Sequence, residues 1–265
     1  MTLFTTVADA KVAYSVDGEG SANLVLVHGA GGNSESNWGH LVQYLSPYYK
    51  VVRPNFSGSG ETTDNGEELS TVKLAEQVVA AAKAANAVPF DLIAFSLGTS
   101  VATYIAAEYP ELVKSVVLLS AFIVANPRHK LQLELWKSLT ANDHYAMSSL
   151  LILTGFSPNF VSTWDEMTIS NNIESMITTN NWSGLARQIE LGLNTDVTEQ
   201  ARKITKPTLV IGGKYDGMVP SESTKHTASL ISGAEYTELE SGHMAIYEKA
   251  EEFLQLATAF LQKNA

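Results

Sequence analysis

The fold is decided by the stretch Phe90-Asp91-Leu92-Ile93-Ala94-Phe95-Ser96-Leu97-Gly98-Thr99-Ser100. Its apolar first half predicts a buried strand, and the run Val101–Glu108 that follows predicts a helix. Ser96 stands at the turn between them, flanked by the small residues Ala94 and Gly98. Because so tight a turn forces its central residue toward unfavourable backbone angles, small neighbours let the strand and helix approach. The stretch therefore predicts a serine hydroxyl at the carboxyl end of a sheet, beside the positive end of a helix.

Short segments on both sides of this turn predict the other strands of the sheet. Val12–Val16 alternates weakly and predicts an early antiparallel strand. Buried strands are predicted at Leu24–Val27, Val51–Val52, Val116–Leu119, Thr208–Ile211 and Tyr236–Leu239. Helices are predicted at Ser70–Ala85, with Ser70 as N-cap, at Ser221–Ile231 and at Ala245–Leu261. The alternation of strands and helices indicates a mostly parallel sheet with helices on both faces.

The alternation is interrupted between residues 122 and 205, where no buried strand is predicted. Four helical candidates lie there: Leu131–Leu139, Tyr145–Leu153, Asp165–Ile177 and Trp182–Leu191. We interpret this segment as a helical lid inserted into one domain, because the strand pattern resumes after it. The predicted core is residues 1–121 and 206–265, and the predicted lid is residues 122–205.

Composition limits the compartment and the kinds of partner. A chain of 265 residues with 45% hydrophobic and 17% charged residues is typical of a globular α/β protein. The net charge of -11 argues against nucleic acid or an anionic membrane surface as partner. The N-terminus lacks the basic start and apolar core of a signal peptide, and no apolar run approaches the ~20 residues of a membrane span. We expect a cytoplasmic protein with a small-molecule substrate, and the sequence leaves monomer and homodimer open.

Two residues downstream can activate the serine. A hydroxyl becomes a good nucleophile when a base takes its proton and a third group holds that base. Asp216 follows the strand Thr208–Ile211, and His243 follows the strand Tyr236–Leu239. Since the carboxyl ends of parallel strands share one edge of a sheet, the three side chains are expected to converge there. Taken singly, Asp216 also fits a helix cap and His243 a buried structural residue.

These motifs together resemble the α/β-hydrolase family over nearly the whole chain. The resemblance is carried by His28-Gly29-Ala30-Gly31-Gly32, Ala94-Phe95-Ser96-Leu97-Gly98, Tyr215-Asp216-Gly217-Met218-Val219-Pro220 and Ser241-Gly242-His243, with Asn55–Gly60 in the place of the family's Gly-containing loop. It implies an eight-stranded α/β-hydrolase fold with a helical cap after strand 6. It also implies Ser96 as nucleophile, His243 as general base and acid, and Asp216 as the residue that orients His243.

The oxyanion of such an enzyme needs two backbone N–H donors. By the same resemblance, Leu97 provides one and Ala30 provides the other. The chain has Ala94 and Thr99 where the family often has glycine, and we expect the turn to form in spite of both.

The predicted reaction is acyl transfer to water from a small or medium, mainly apolar carboxylic ester. The substrate class follows from the apolar residues expected around the site: Phe95, Phe122, Ile123, Trp136, Trp164, Met218, Val219 and Met244. Three alternatives stay open. The same residues serve carbon–carbon bond hydrolases, and they serve thioesterases or cyclases of a pathway. A non-catalytic ligand-binding receptor on the same fold is the third alternative.

Other kinds of site are not supported by the sequence. The loop Gly29–Gly31 starts like a dinucleotide-binding fingerprint, but Ser34 stands where its third glycine belongs. The chain has no cysteine, no P-loop lysine pattern and no His-Glu-x-x-His pair, so we expect neither a cofactor nor a metal. His28 is expected to make a structural hydrogen bond. The remaining histidines, His40, His129, His144 and His226, are expected to be solvated.

Overall fold

A computed structural model describes residues 1–265 and contains one eight-stranded sheet. The strands are β1 (Thr2–Val7), β2 (Ala10–Asp17), β3 (Ala22–Val27), β4 (Tyr49–Pro54), β5 (Phe90–Phe95), β6 (Val113–Leu119), β7 (Thr208–Gly213) and β8 (Glu235–Leu239). Their order across the sheet is β1-β2-β4-β3-β5-β6-β7-β8. Strand β2 pairs antiparallel with β1 and β4, and every other pairing is parallel. The predicted eight-stranded, mostly parallel α/β-hydrolase fold is therefore confirmed.

Twelve α-helices cover the sheet and fill the insertion. The helices of the sheet layers are α1 (Ser34–Leu45), α2 (Thr71–Ala84), α3 (Leu97–Glu108), α10 (Ser221–Leu230), α11 (Ala245–Glu248) and α12 (Ala250–Lys263). The helices between β6 and β7 are α4 (Pro127–Asn142), α5 (His144–Gly155), α6 (Pro158–Val161), α7 (Glu166–Thr179), α8 (Trp182–Asn194) and α9 (Thr198–Lys203). None of the twelve is both long and apolar enough to cross a membrane.

The sheet is buried on both faces because its central strands are mostly apolar. On β5, Leu92 and Ala94 belong to the core under α2 and α3, whereas Ile93 and Phe95 belong to the core under α1 and α12. All four side chains are at most 3% exposed. Burial on this scale fixes the register of β5, since a shift by one residue would exchange the two faces. The end of β5, where Ser96 follows, is thereby fixed relative to its neighbours.

The structure differs from the sequence prediction in three local features. Strand β1 was not predicted, because its sequence TLFTTV has neither a buried apolar run nor a regular alternation. The short helices α6 and α9 were not predicted either, since four and six residues show little periodicity. The predicted last helix is divided at Lys249, whose backbone leaves the helical region with ψ of 41°.

The inserted helices are joined to the core through backbone contacts and two ion pairs, Arg187–Asp64 and Lys203–Glu108. A Cβ on Gly184 of α8 would lie 2.0 Å from the carbonyl oxygen of Gly58, so only glycine permits this approach. Beside this contact, Arg187 of α8 forms a two-fold hydrogen bond with the Asp64 carboxylate, at 3.0 and 2.8 Å. These contacts hold α8 over the carboxyl edge of the sheet.

Candidate active site

Ser96 occupies the strained turn between β5 and α3. Its φ of 53° and ψ of -125° lie outside the regions that side chains other than glycine usually adopt. The turn is tight enough that a Cβ on Gly98 would lie 2.5 Å from the carbonyl oxygen of His28. Strain of this kind persists only where the surroundings impose it, and it often marks a functional position. Here it directs the Ser96 hydroxyl away from the sheet and into a cavity.

Ser96, His243 and Asp216 form one hydrogen-bonded series. The Ser96 Oγ lies 2.9 Å from the His243 Nε2, and the His243 Nδ1 lies 2.8 Å from the Asp216 Oδ2. The other Asp216 oxygen accepts hydrogen bonds from the backbone N–H groups of Met218 and Val219, at 2.8 and 2.7 Å. Three partners therefore fix the Asp216 carboxylate, and its Oδ2 favours a proton on the His243 Nδ1. The Nε2 is then left to accept a proton from Ser96.

The loops that carry Asp216 and His243 are fixed by the end of α5. The N–H of Gly217 donates to the carbonyl of Thr154, and the N–H of Met244 donates to the carbonyl of Gly155. The Glu248 carboxylate accepts from the N–H groups of Ser157 and Gly242, and from the Ser157 hydroxyl at 2.6 Å. One short segment of the insertion, residues 154–157, therefore supports both loops.

Three consecutive N–H groups of the loop after β3 are used differently. That of Gly29 donates to the Asn37 Oδ1 at 2.9 Å, and that of Gly31 donates to the Gln188 Oε1 at 2.8 Å. The N–H of Ala30, between them, makes no hydrogen bond within the protein. The N–H of Leu97 is also free of an intrahelical partner, because Leu97 is the first residue of α3. Both expected oxyanion donors therefore border the Ser96 hydroxyl without a partner.

The Ser96 hydroxyl opens into a cavity of about 470 Å³ beneath the inserted helices. Of the expected pocket residues, this cavity is lined by Phe95, Trp136, Trp164, Met218 and Met244. Phe122 and Val219 line only a smaller void that also contacts Ser96. Ile123, also expected to line the pocket, lines neither space: its carbonyl accepts from the N–H of Val197, and its side chain packs in the main core.

Several cavity residues were not predicted from the sequence. Phe156 and Phe160 form an aromatic cluster with Trp164, with ring centroids 5.1 to 5.9 Å apart. Polar side chains from α7 and its C-terminal end also line the cavity: Asn172, Ser175, Thr179 and Asn180. Asn172, Ser175 and Thr179 recur at helical spacing, which puts their polar groups on one face of α7. This spacing is a signal from which a polar wall could have been predicted. Gln188 and Asn37 gave no such signal.

Of the six histidines of the chain, His28 and His129 are buried but do not belong to the Ser96–His243–Asp216 series. His28 is fully buried and stacks on Phe56, with its Nδ1 2.8 Å from the carbonyl oxygen of Gly29, as expected for a structural role. Burial lowers the pKa of His28 to about 4. His129 was expected to be solvated, but it is 5% exposed and contacts the Phe122 ring edge-on. Burial is also the main cause that lowers the pKa of His129 to about 4.

No group of three or more histidine, aspartate or glutamate side chains is arranged to hold a metal ion. The arrangement instead provides a hydroxyl, a neighbouring proton acceptor and unpaired N–H donors at one point of a cavity. Together with the sheet order, these features define an α/β protein of the hydrolase class.

Comparison with known proteins agrees with that class. The family model for the alpha/beta hydrolase fold matches residues 22–250, and the chain belongs to this family. The chain is 52% identical to a Pyrrolizixenacetamide deacetylase from Xenorhabdus hominickii, over 96% of both chains. It is 26% identical to a 2-hydroxy-6-oxo-6-(2'-aminophenyl)hexa-2,4-dienoic acid hydrolase from Metapseudomonas resinovorans, over 99% of this chain and 91% of that one. Because the chain belongs to this family and its relatives are named hydrolases, the protein is a hydrolase.

Solved structures share the fold. An alpha/beta hydrolase enzyme from a Medee basin deep-sea metagenome library superposes with a TM-score of 0.91, at 21% identity, over 98% of this chain and 97% of that chain. The enol-lactonase from Burkholderia xenovorans LB400 gives a TM-score of 0.87, also at 21% identity, over 98% of this chain and all of the other. At this level of identity the likeness concerns the fold alone.

Proposed function

We propose that the protein is a serine hydrolase that transfers the acyl group of a carboxylic ester or amide to water. The observation that carries the proposal is the Ser96–His243–Asp216 series, with hydrogen-bond distances of 2.9 and 2.8 Å, beside the unpaired N–H of Ala30. These are the distances at which a base can take the serine proton without rearrangement.

In the first half of the reaction, the Ser96 oxygen attacks the carbonyl carbon while its proton passes to the His243 Nε2. The carbonyl oxygen becomes an oxyanion, and the N–H groups of Ala30 and Leu97 stabilise it. Asp216 stabilises the imidazolium and stays ionised. When the bond to the leaving group breaks, His243 returns the proton to the departing oxygen or nitrogen, and the acyl group remains on Ser96.

In the second half, a water molecule replaces the leaving group in the cavity. His243 takes a proton from this water as its oxygen attacks the acyl carbon. When the bond to Ser96 breaks, His243 returns the proton to the Ser96 oxygen, and the carboxylic acid leaves. Every proton is transferred between Ser96, substrate, water and His243, and no redox step is involved.

The cavity supports a medium-sized leaving group that is partly apolar. The aromatic cluster of Phe156, Phe160 and Trp164 offers an apolar wall, and the polar face of α7 offers hydrogen-bonding groups. We propose that residues 122–205 act as a lid that supplies both walls. The 52% identical relative is named a deacetylase of an acetamide, which supports including amides beside the esters expected from the sequence.

A direct test compares Ser96→Ala with Ser148→Ala, which removes a buried hydroxyl that has no hydrogen-bond partner. We expect wild type and Ser148→Ala to hydrolyse 4-nitrophenyl acetate and an aromatic N-acetyl amide equally well. We expect Ser96→Ala to lose about 10⁴-fold or more of this activity. Unchanged turnover by Ser96→Ala would disprove the proposed nucleophile.

Carbon–carbon bond hydrolysis is the second candidate, because the 26% identical relative is named for a dienoic acid substrate of that kind. A 2-hydroxy-6-oxo-dienoate with an aryl group separates the two reactions. Turnover of this compound far above that of acetate esters and acetamides would favour the second candidate.

A further inference from the structure

A second, much smaller void adjoins the large cavity at Ser96. Its volume is about 20 Å³, and it shares Ala30, Ser96, Trp136 and Met218 with the large cavity. Its remaining walls come from the start of α3, the loops after β6 and β7 and the inserted helices: Leu97, Phe122, His129, Leu133, Gln188, Ile189, Gly192 and Val219. Because both spaces are lined by Ser96, they meet at this residue.

The position of His243 decides which part of a substrate enters each space. His243 lines the large cavity and not the small void. Since the leaving group must receive its proton from the His243 Nε2, it has to leave on the side of the large cavity. The other substituent of the carbonyl carbon then points toward the small void. This assignment rests on the proposed acyl-transfer reaction.

The volume of the void limits that substituent. About 10 to 15 Å³ of such space holds one water-sized group, so a void of about 20 Å³ accommodates one methyl group and not a propyl chain. We propose that this void is an acyl subsite that admits acetyl groups and excludes longer acyl chains. The substrate class is then acetate esters and acetamides with a medium-sized leaving group.

The walls of the void are held in place, so that it does not widen easily. The Phe122 ring contacts the His129 ring edge-on, with ring centroids 4.5 Å apart. The Gln188 amide donates to the Ser59 hydroxyl at 2.9 Å. A Cβ on Gly192 would lie 3.3 Å from Leu133, which shows how closely α4 and α8 pack there. Close-packed walls resist the insertion of additional methylene groups.

The His129 ring is the wall most suited to a test. It makes no hydrogen bond to the protein, and its lowered pKa of about 4 leaves it uncharged at neutral pH. It is therefore an uncharged ring whose removal enlarges the void without breaking a hydrogen bond. Val219 offers an independent wall, because its side chain lies in the apolar core while its backbone N–H binds Asp216.

The experiment measures kcat/KM for 4-nitrophenyl acetate, butanoate and octanoate. Since one extra methylene in a closed apolar site changes kcat/KM by about 10-fold or more, we expect wild type to prefer acetate to butanoate at least 10-fold. We expect His129→Ala to raise the butanoate-to-acetate ratio about 10-fold, and Val219→Ala to raise it in the same direction. Circular dichroism and thermal unfolding establish that each variant is folded, and Val219→Ala replaces His129→Ala if the latter is not.

Phe160→Ala is the matched control, since it enlarges the large cavity by a ring of similar size. It is expected to change the kcat/KM of all three esters alike and to leave their ratio within about twofold. Wild-type turnover of butanoate equal to that of acetate would overturn the inference, as would an unchanged ratio in both folded wall variants. Absence of any ester or amide hydrolysis would instead refute the proposed function, so the two failures are distinguishable.

Discussion

Replacement of Gln188 by methionine removes the hydrogen bond between α8 and the loop after β3, which carries Ala30 and is called the oxyanion loop below. Gln188 is 1% exposed, and its Oε1 accepts the hydrogen bond from Gly31 that fixes the loop next to Ala30. Its Nε2 donates to the carbonyl of Ser57 at 3.3 Å and to the hydroxyl of Ser59 at 2.9 Å. Methionine has nearly the same length and can make none of these bonds. Gln188 makes no hydrogen bond to Ser96 or His243 and acts on the Ala30 N–H through Gly31, so we regard it as a positioning residue.

The size of the effect follows from what Ala30 does in the proposed reaction. Loss of one oxyanion donor lowers kcat by about 10² to 10³-fold. Gln188→Met leaves the Ala30 N–H present but no longer fixed, so we expect a fall of kcat by about 10 to 100-fold, or about 1.4 to 2.7 kcal/mol. KM should change by less than about threefold, because the ground-state carbonyl depends less on this donor than the oxyanion does.

Gln77→Met is the matched control for this experiment. Gln77 is also buried, and it binds the loop after β4, which Gln188 also contacts. Its partners there are the N–H and the hydroxyl of Ser57, both at 2.8 Å. Each substitution leaves buried polar partners unpaired, so each should cost about 2 to 5 kcal/mol of unfolding free energy. Steady-state kinetics with 4-nitrophenyl acetate and urea unfolding measure both quantities. If Gln188→Met keeps kcat within threefold of wild type, or if Gln77→Met loses as much kcat, the argument is refuted.

Three further predictions concern the same site. Because burial holds the pKa of His28 at about 4, below the ~6.5 of an unfolded chain, its neutral state stabilises the fold above pH 6.5 and that stability is lost as pH falls toward 4. The unfolding free energy should drop by about 2 kcal/mol from this group between pH 8 and pH 5, and a His28→Gln variant should lack that part of the drop in urea titrations. In Asp216→Asn, the N–H groups of Met218 and Val219 keep the amide oxygen in place, so the amide NH₂ faces His243. The Nδ1 then accepts from this NH₂, and the ring proton moves to the Nε2, which can no longer take the Ser96 proton. We expect kcat to fall about 10⁴-fold, and a fall below tenfold would contradict this tautomer argument. Glu248→Ala removes the acceptor of Ser157 and Gly242 and should lower Tm by about 4 to 8 °C in a thermal scan, whereas an unchanged Tm would show that the His243 loop is held by other contacts.

The strands next to the site could be predicted because their sequence is simple. Strands buried on both faces consist of short apolar runs, and β5, β6 and β7 are of this kind. In a parallel sheet, the residue after each strand end lies at one edge, so Ser96 and Asp216 could be brought together without coordinates. The edge strand β1 was not predicted because it pairs on one side only and needs less burial.

The supporting residues could not be predicted, because their contacts are distant in the sequence. Gln188 is 157 residues from Gly31, and a glutamine in a helix usually faces solvent. His129 was expected to be solvated because it begins a polar helix, yet the packing of α4 against the core places it beside Phe122. Ile123 follows Phe122 directly, but its carbonyl binds Val197 and its side chain packs in the core away from the site. Local patterns do not contain this information.

The central claim is that Ser96 becomes acylated during turnover, and rapid acid quenching with intact-mass analysis tests it most directly. Wild type mixed with excess 4-nitrophenyl acetate should gain the mass of one acetyl group, located by peptide mapping to the segment that contains Ser96. Ser96→Ala should gain none and should release 4-nitrophenol at the rate of the uncatalysed reaction. An acetyl group found only at another residue of a turning-over enzyme, or full activity of Ser96→Ala, would contradict the account.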